Sequence, residues 1–184
     1  MRIVSGVLKG RRFELPNGKW KTRPTTDYAK ESLFNILSNW VVLEGIEVLD
    51  LFSGTGNLAY EFASRGASRV VCVEKYGACI QYIERTAKGF GIVDILETRK
   101  QDVFKFLKHH QQQYDVIFAD PPYDSPKFPL LPQLVQQQQL LKKDGLLIIE
   151  HDARQNFEKE KGFVEFRQYG QSYFSFIQAT ESEI

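Results

Sequence analysis

Apolar residues recur along this chain with two different periods. Ala29, Leu33, Ile36, Leu37 and Trp40 fall on one helical face, with Thr26 or Asp27 standing where an N-cap is needed. From residue 46 onward, short apolar runs alternate with helix-period segments. The runs predict strands at 46–51, 69–74, 93–98, 114–119 and 145–150. The intervening segments predict helices at 57–65, 77–89, 102–110 and about 128–141, and a short polar helix is expected after residue 150. Two further runs, 163–169 and 172–178, meet at Gly170-Gln171 and predict a closing hairpin. Such alternation argues an α/β fold: a Rossmann-like, seven-stranded, mostly parallel sheet with helices on both faces. Ahead of it, residues 2–5 and 11–15 flank a Gly6 to Gly10 turn and predict a small β-hairpin, broken at Pro16-Asn17-Gly18. The chain reads as one domain, 1–184, with 1–22 as the hairpin extension.

Composition supports a cored domain: 184 residues, 42% hydrophobic, are enough for a sizeable interior. No apolar run approaches the roughly 20 residues of a membrane helix, and the N-terminus lacks the apolar stretch of a signal peptide. Cys72 and Cys79 have neither disulfide-motif nor zinc spacing, and His109, His110 and His151 form no ligand pattern. The simplest expectation is a cytoplasmic, metal-free monomer. The net charge of +1 hides an asymmetry. Residues 1–30 hold eight bases against two acids, a net +6; the rest hold sixteen against twenty-one, a net −5. A basic arm on an acidic body suits a polyanionic partner, although a solvated hairpin surface would look the same.

Two motifs carry chemistry. In the first, the run Val48-Leu-Asp-Leu-Phe-Ser-Gly-Thr-Gly56 ends a strand in a glycine turn before a helix. Gly54 and Gly56 permit a sharp turn and close ligand approach. Gly54-x-Gly56-x-x-Ala59 also fits the dinucleotide fingerprint, and Glu74 has the spacing of a ribose-binding acid. Asp50 argues otherwise. A pyrophosphate at the helix end would be repelled by this carboxylate, whereas the sulfonium and ammonium of S-adenosylmethionine (SAM) would be attracted. The bland reading of Asp50 is a turn cap, and of Glu74 a solvated strand end.

The second motif is Asp120-Pro121-Pro122-Tyr123, directly after the apolar run 114–119. Two prolines make a stiff loop rich in carbonyl acceptors and poor in N–H donors. Asp120 adds acceptors and Tyr123 an aromatic platform. Together they suit a planar ring with an exocyclic amine, that is, a nucleobase; a rigid turn is the alternative. Strand ends on one edge of a parallel sheet share a binding crevice, which would gather Asp50, Glu74, Asp102 and Asp120.

These residues resemble a known family. Asp50-Leu-Phe-Ser-Gly-Thr-Gly56, Glu74, Asp102 and Asp120-Pro-Pro-Tyr123 are similar to the motifs of class I amino-group methyltransferases. Arg2-Ile-Val-Ser-Gly6, Lys9-Gly-Arg-Arg12 and Arg23-Pro-Thr-Thr-Asp27 with the helix to Leu37 resemble the start of the RsmD family of bacterial 16S rRNA guanine-N2 methyltransferases. Tyr28-Ala-Lys30 departs from that family's more basic stretch. The resemblance implies SAM as cofactor, held by Asp50, Phe52, Ser53, Gly54, Thr55, Gly56, Glu74 and Asp102. It implies catalysis by Asp120, Pro121, Pro122 and Tyr123, and RNA contacts from Lys9, Arg11, Arg12, Arg23, Thr25 and Thr26. The implied partner is 16S rRNA or the assembling small ribosomal subunit. With an unperturbed pKa of about 3.9, Asp120 would be a weak base that orients the amine. Rival readings are a DNA adenine-N6 methyltransferase, an NAD-dependent oxidoreductase and a non-catalytic RNA-binding module. The second explains the glycine turn but not Asp50 or the proline motif.

Overall fold

The computed structural model describes residues 1–14 and 26–180. Helix α1 (Asp27–Trp40) opens on Thr26, whose hydroxyl accepts from the Ala29 amide at 3.2 Å. There follow β1 (Glu47–Leu51), α2 (Asn57–Ser64), β2 (Arg69–Glu74), α3 (Gly77–Phe90), β3 (Leu96–Lys100), α4 (Val103–Leu107) and β4 (Tyr114–Ala119). A 3-10 turn (Phe128–Leu130) leads into α5 (Leu131–Gln137), then β5 (Leu141–His151), β6 (Phe163–Tyr169) and β7 (Ser172–Gln178). The seven strands lie in the order β3-β2-β1-β4-β5-β7-β6. The first five run parallel, and β7 pairs antiparallel with both β5 and β6.

The strands alternate between two apolar layers because their side chains have period two. Val48, Val70, Cys72, Val116, Phe118 and Ile148 pack under α1, α2 and α3. Leu49, Leu51, Val73, Ile117 and Ile149 pack under α4 and α5. The apolar face of α1 buries Ala29, Leu33 and Leu37, leaves Ile36 half-buried, and adds Phe34, whose ring meets Phe62 edge-on at 4.7 Å. Cys72 and Cys79 are both free and buried. No helix among the described residues is long and apolar enough to cross a membrane.

Several boundaries differ from the sequence expectation, each for a local reason. The third strand begins at Leu96 rather than 93. Gly91 takes a left-handed C-cap, and Ile92 then accepts from the amides of Ile95 and Leu96 in a tight turn. The helix expected to reach 141 stops at Gln137, where left-handed Gln139 turns the chain so that Leu140 and Leu141 are buried. Strand β5 therefore starts early, and a register shift opposite Tyr114–Val116 absorbs Lys142 to Gly145. Helix α4 is five residues rather than nine. The segment after β5 forms turns, not a polar helix: the Asp152 side chain accepts from the Arg154 amide and from its guanidinium.

The N-terminal arm folds back on itself as expected, through the antiparallel Arg2–Arg12 bridge, with the Ile3 amide donating to the Arg11 carbonyl and the Gly10 amide to the Ile3 carbonyl, both at 2.9 Å. What the sequence did not show is that this hairpin docks on α2. Glu61 accepts from the Val4 and Ser5 amides at 2.9 and 3.0 Å, and the Ser64 hydroxyl accepts from the Leu8 amide at 2.9 Å. Ile3, Leu8 and Phe13 enter the core. Gly6 lies so close to α2 that a Cβ there would sit 1.8 Å from the Ser64 carbonyl oxygen. Fully buried Lys30 completes the joint: its ammonium donates to the Arg2 carbonyl and to Asn57 Oδ1, and lies 3.4 Å from Glu61. Burial pushes the Lys30 pKa down, while Glu61 and Asp27 pull it back up. Residues 15–22 of the expected hairpin extension lie outside the described residues.

Candidate active site

The strand order reverses between β1 and β4, the position where a parallel sheet leaves a crevice. Asp50 pairs with Phe118 and Leu51 with Ala119, so the two motifs of the sequence emerge side by side. Between them lies a cavity of about 490 Å³.

One side of the cavity is a single turn. Phe52 adopts φ 60°, Gly54 φ 52° and Gly56 φ 78°. The Ser53 hydroxyl donates to the Asp50 carbonyl at 2.6 Å, and the Gly56 amide donates to the Ser53 carbonyl at 2.7 Å. A Cβ on Gly56 would stand 2.8 Å from the Tyr60 ring, so the turn leaves no room for a side chain there. Glu74 braces the turn from behind, accepting from the Gly54 amide at 3.1 Å and the Tyr76 amide at 2.9 Å. Asp50 is 2% exposed, lines the cavity, and its Oδ2 has no hydrogen-bond partner. Burial lifts its pKa to about 7, with Glu74 adding repulsion and Ser53 opposing. A buried, orphaned carboxylate oxygen is costly unless a ligand completes it, and a cation would do so best.

The other side is built from four segments. Asp120 follows β4, half-buried, with its amide donating to the Leu51 carbonyl at 3.4 Å. Pro121 is buried and lines the cavity. The Pro122 carbonyl accepts from the Ser125 amide at 2.9 Å, which stiffens the loop. Tyr123 lies nearly parallel to the buried Phe128 ring, 6.4 Å between centroids. Burial, then Glu150, then Asp50 push the Asp120 pKa well above the ordinary carboxylate value. The expectation of an unperturbed, weakly basic Asp120 is thereby corrected: burial first, and then two crowding carboxylates, make it a stronger base than a surface aspartate.

The expected site residues divide accordingly. Asp50, Phe52, Ser53, Gly54, Thr55 and Asp120 to Tyr123 line the cavity. Gly56 caps α2, and Glu74 lies behind the turn. Asp102 does not line the cavity; it caps α4, accepting from the Lys105 amide at 3.1 Å. Thr26 lines the cavity as well as capping α1. Lys9, Arg11 and Arg12 are exposed. The arm's turn meets Ser64 at the far end of α2, and Arg11 reaches Gly89 and Phe90 at the far end of α3. Arg23 and Thr25 lie outside the described residues.

Sequence reasoning missed Glu150, Tyr28, Tyr169 and Ser172, which also line the cavity. A signal for Glu150 existed: it ends a strand as Asp50, Glu74 and Asp120 do. Neighbouring His151 is structural. It is buried against Phe157 and Tyr173, with its ring nitrogens bonded to Ser175 Oγ and the Asp152 carbonyl.

Comparisons with known proteins agree with this architecture. Residues 1–178 match the family model described as conserved hypothetical protein 95. The ribosomal RNA small subunit methyltransferase D of Buchnera aphidicola is 32% identical over 156 residues, covering 85% of this chain and 78% of that protein. The solved structure of yhhF from Escherichia coli superposes with a TM-score of 0.84 at 24% identity, covering 97% of both chains. An RNA methyltransferase from Salinibacter ruber, solved with S-adenosylhomocysteine, superposes with a TM-score of 0.67 at 17% identity, over 87% of this chain and 95% of that one. The fold is that of the class I methyltransferases. With its arm, glycine turn and proline loop on that fold, the chain belongs to the conserved hypothetical protein 95 family, the RsmD family of methyltransferases.

Proposed function

We propose that this chain methylates the exocyclic N2 amine of a guanine in 16S rRNA, with SAM as the methyl donor. One observation carries the reading. A single cavity holds an orphaned carboxylate beside a glycine turn and an acceptor-rich proline loop beside an aromatic ring. The first half suits a cationic cofactor; the second suits an amine-bearing base.

The residues fit SAM. Asp50 would complete its buried acceptor on the cationic amino-acid end, the Phe52–Gly56 turn would let the backbone approach, and Glu74 would hold that turn in shape from behind. When bound, SAM supplies an electrophilic methyl group. The rest of the chemistry belongs to the chain. The guanine N2 lone pair is delocalised into the ring, so the amine is a poor nucleophile. Asp120 and the Pro121 carbonyl accept its two N–H bonds and favour a pyramidal nitrogen whose lone pair points across the cavity. Pro121 is the better proline for this, because the Pro122 carbonyl is engaged by Ser125. Once methylated, the nitrogen is acidic, and Asp120 is basic enough to receive its proton. Orientation and electrostatics supply most of the rate. Tyr123 stacks on a base drawn out of its helix or loop.

Arm residues Lys9, Arg11 and Arg12, with Arg23 and Thr25, would hold the rRNA backbone, and Thr26 would meet the RNA at the cavity mouth. On this reading the protein would act on assembling ribosomes in the cytoplasm. The test is to map methylated nucleosides in 16S rRNA from a strain lacking this gene, before and after treatment with purified protein and SAM. Restoration of N2-methylguanosine at one nucleotide is expected. N6-methyladenosine, or no methylated nucleoside, refutes the reading.

A further inference from the structure

The base-facing half of the cavity contains a second carboxylate. Glu150, the penultimate residue of β5, is 3% exposed and lines the same cavity as Asp120. Ala119 and Ile149 are register partners in the parallel β4–β5 pair, so Asp120 and Glu150 occupy the next positions on adjacent strands. Strands are spaced about 5 Å apart, and side chains alternate faces. Asp120 and Glu150 therefore open on the layer that also holds Phe118, Ile148 and Asp50's neighbour Val48. The Ser172 hydroxyl, from the start of β7, donates to Glu150 Oε1 at 2.8 Å and orients the carboxylate. A carboxylate offers about four acceptor positions, so it can hold a substrate N–H beside the partners it already has.

Two acceptor carboxylates side by side suit two adjacent donors. Among the exocyclic amines of the standard bases, guanine N2 alone sits beside a ring N–H, at N1. Adenine N6 is flanked by bare nitrogens at N1 and N7, and cytosine N4 by a bare N3. A carboxylate facing any of those lone pairs would be repelled. We infer that Glu150 selects guanine, its carboxylate accepting the N1–H of the target base while Asp120 holds the N2 amine beside it. This rests on the guanine reading above.

The test has two stages with separable failures. The methylated nucleotide is first mapped in 16S rRNA using the parent protein; adenosine methylation at that stage would defeat the guanine reading, whatever Glu150 does. The rRNA is then ligated from synthetic pieces with guanosine or 2-aminopurine at that nucleotide, and used both naked and in reconstituted small subunits. 2-Aminopurine keeps the N2 amine but has a bare N1. Single-turnover rates at saturating SAM are compared for the parent and Glu150→Gln. Glutamine keeps the size of the side chain and an oxygen for the Ser172 hydroxyl. The parent should lose about 10- to 100-fold when N1–H is removed, as expected for one hydrogen bond to a charged group. Glu150→Gln should be slower on guanosine by a similar factor, and should distinguish the two RNAs by less than about threefold. The same 2-aminopurine penalty in both proteins overturns the inference. Melting temperature and SAM affinity near those of the parent establish that the variant is folded. If it is not, Glu150→Asp, which withdraws the carboxylate by one methylene, takes its place in the cycle, and an undiminished penalty there overturns the inference equally.

Discussion

The two halves of the cavity are made in opposite ways. The Asp50 half is one continuous turn, Asp50 to Gly56, whose backbone bonds to itself and to Glu74. The base-facing half draws on Tyr28 in the first turn of α1, the loop after β4, Glu150 on β5 and the β6–β7 turn. A compact cofactor with fixed charges can be met by one local motif. A flipped base with a particular donor edge needs acceptors from several directions, and only packing of distant segments provides them. Electrostatics sharpens the contrast. Asp50 is a buried acid with a bare oxygen that a cationic ligand can complete, whereas Asp120 is crowded first by Glu150 and then by Asp50.

The contrast predicts that damage to one half leaves the other intact. The largest effect should come from Asp50→Asn, with SAM affinity falling at least about 100-fold by calorimetry, as for loss of one partner of a buried charge pair. The same change should stabilise the ligand-free protein. Raising the folded-state pKa of an acid makes its ionised form costly, so the cost is absent below the ordinary value of 3.8 and complete above about 7. The variant should therefore match the parent at low pH, gain as pH rises between those values, and be more stable by roughly 2–4 kcal/mol at pH 8. In the parent, SAM affinity should rise with pH up to about 7 and then level off, because the cation binds the ionised carboxylate. A flat affinity profile, or destabilisation by Asp50→Asn at pH 8, would break the contrast.

Asp120→Ala comes next. Its SAM affinity should stay near that of the parent, while single-turnover transfer slows by about 10- to 100-fold. Full activity would mean that the proline loop is only a stiff turn. Tyr123→Ala should weaken RNA engagement by about tenfold, within the range of base–aromatic stacking, and Tyr123→Phe should be mild because stacking needs only the ring. The smallest effect belongs to the arm. Replacing Lys9, Arg11 and Arg12 together with Gln should reduce the slope of RNA affinity against salt by about 2 if all three touch phosphates. An unchanged slope would make their exposed positions at the far end of α2 and α3 merely solvated.

The parallel sheet and the glycine turn were legible because both are local. Near-continuous apolar runs with helix-period segments between them describe β1, β2 and β4 to within a residue, and Thr26 marks the start of α1. Boundaries failed where one residue in a left-handed conformation changed the path, at Gly91 and Gln139. The arm was legible only in part. Its alternation and turn describe the hairpin that forms. They do not show that Glu61 and Ser64, more than fifty residues away, accept from its remaining amides, or that the core takes Ile3, Leu8 and Phe13. Glu150 was overlooked because an acid at a strand end is ordinarily solvated, and only its kinship in position with Asp50, Glu74 and Asp120 marked it.

By itself, then, the sequence determined the strand–helix alternation, the Asp50 turn and the proline loop, since each depends on covalent geometry and neighbouring residues. Only the tertiary structure decided that Asp120 stands beside Glu150, that the arm docks on α2, and that Asp50 is left with a bare oxygen in a shared cavity. Burial and charge proximity arise between segments far apart in the chain, and the free energy of a carboxylate is set by what surrounds it in space.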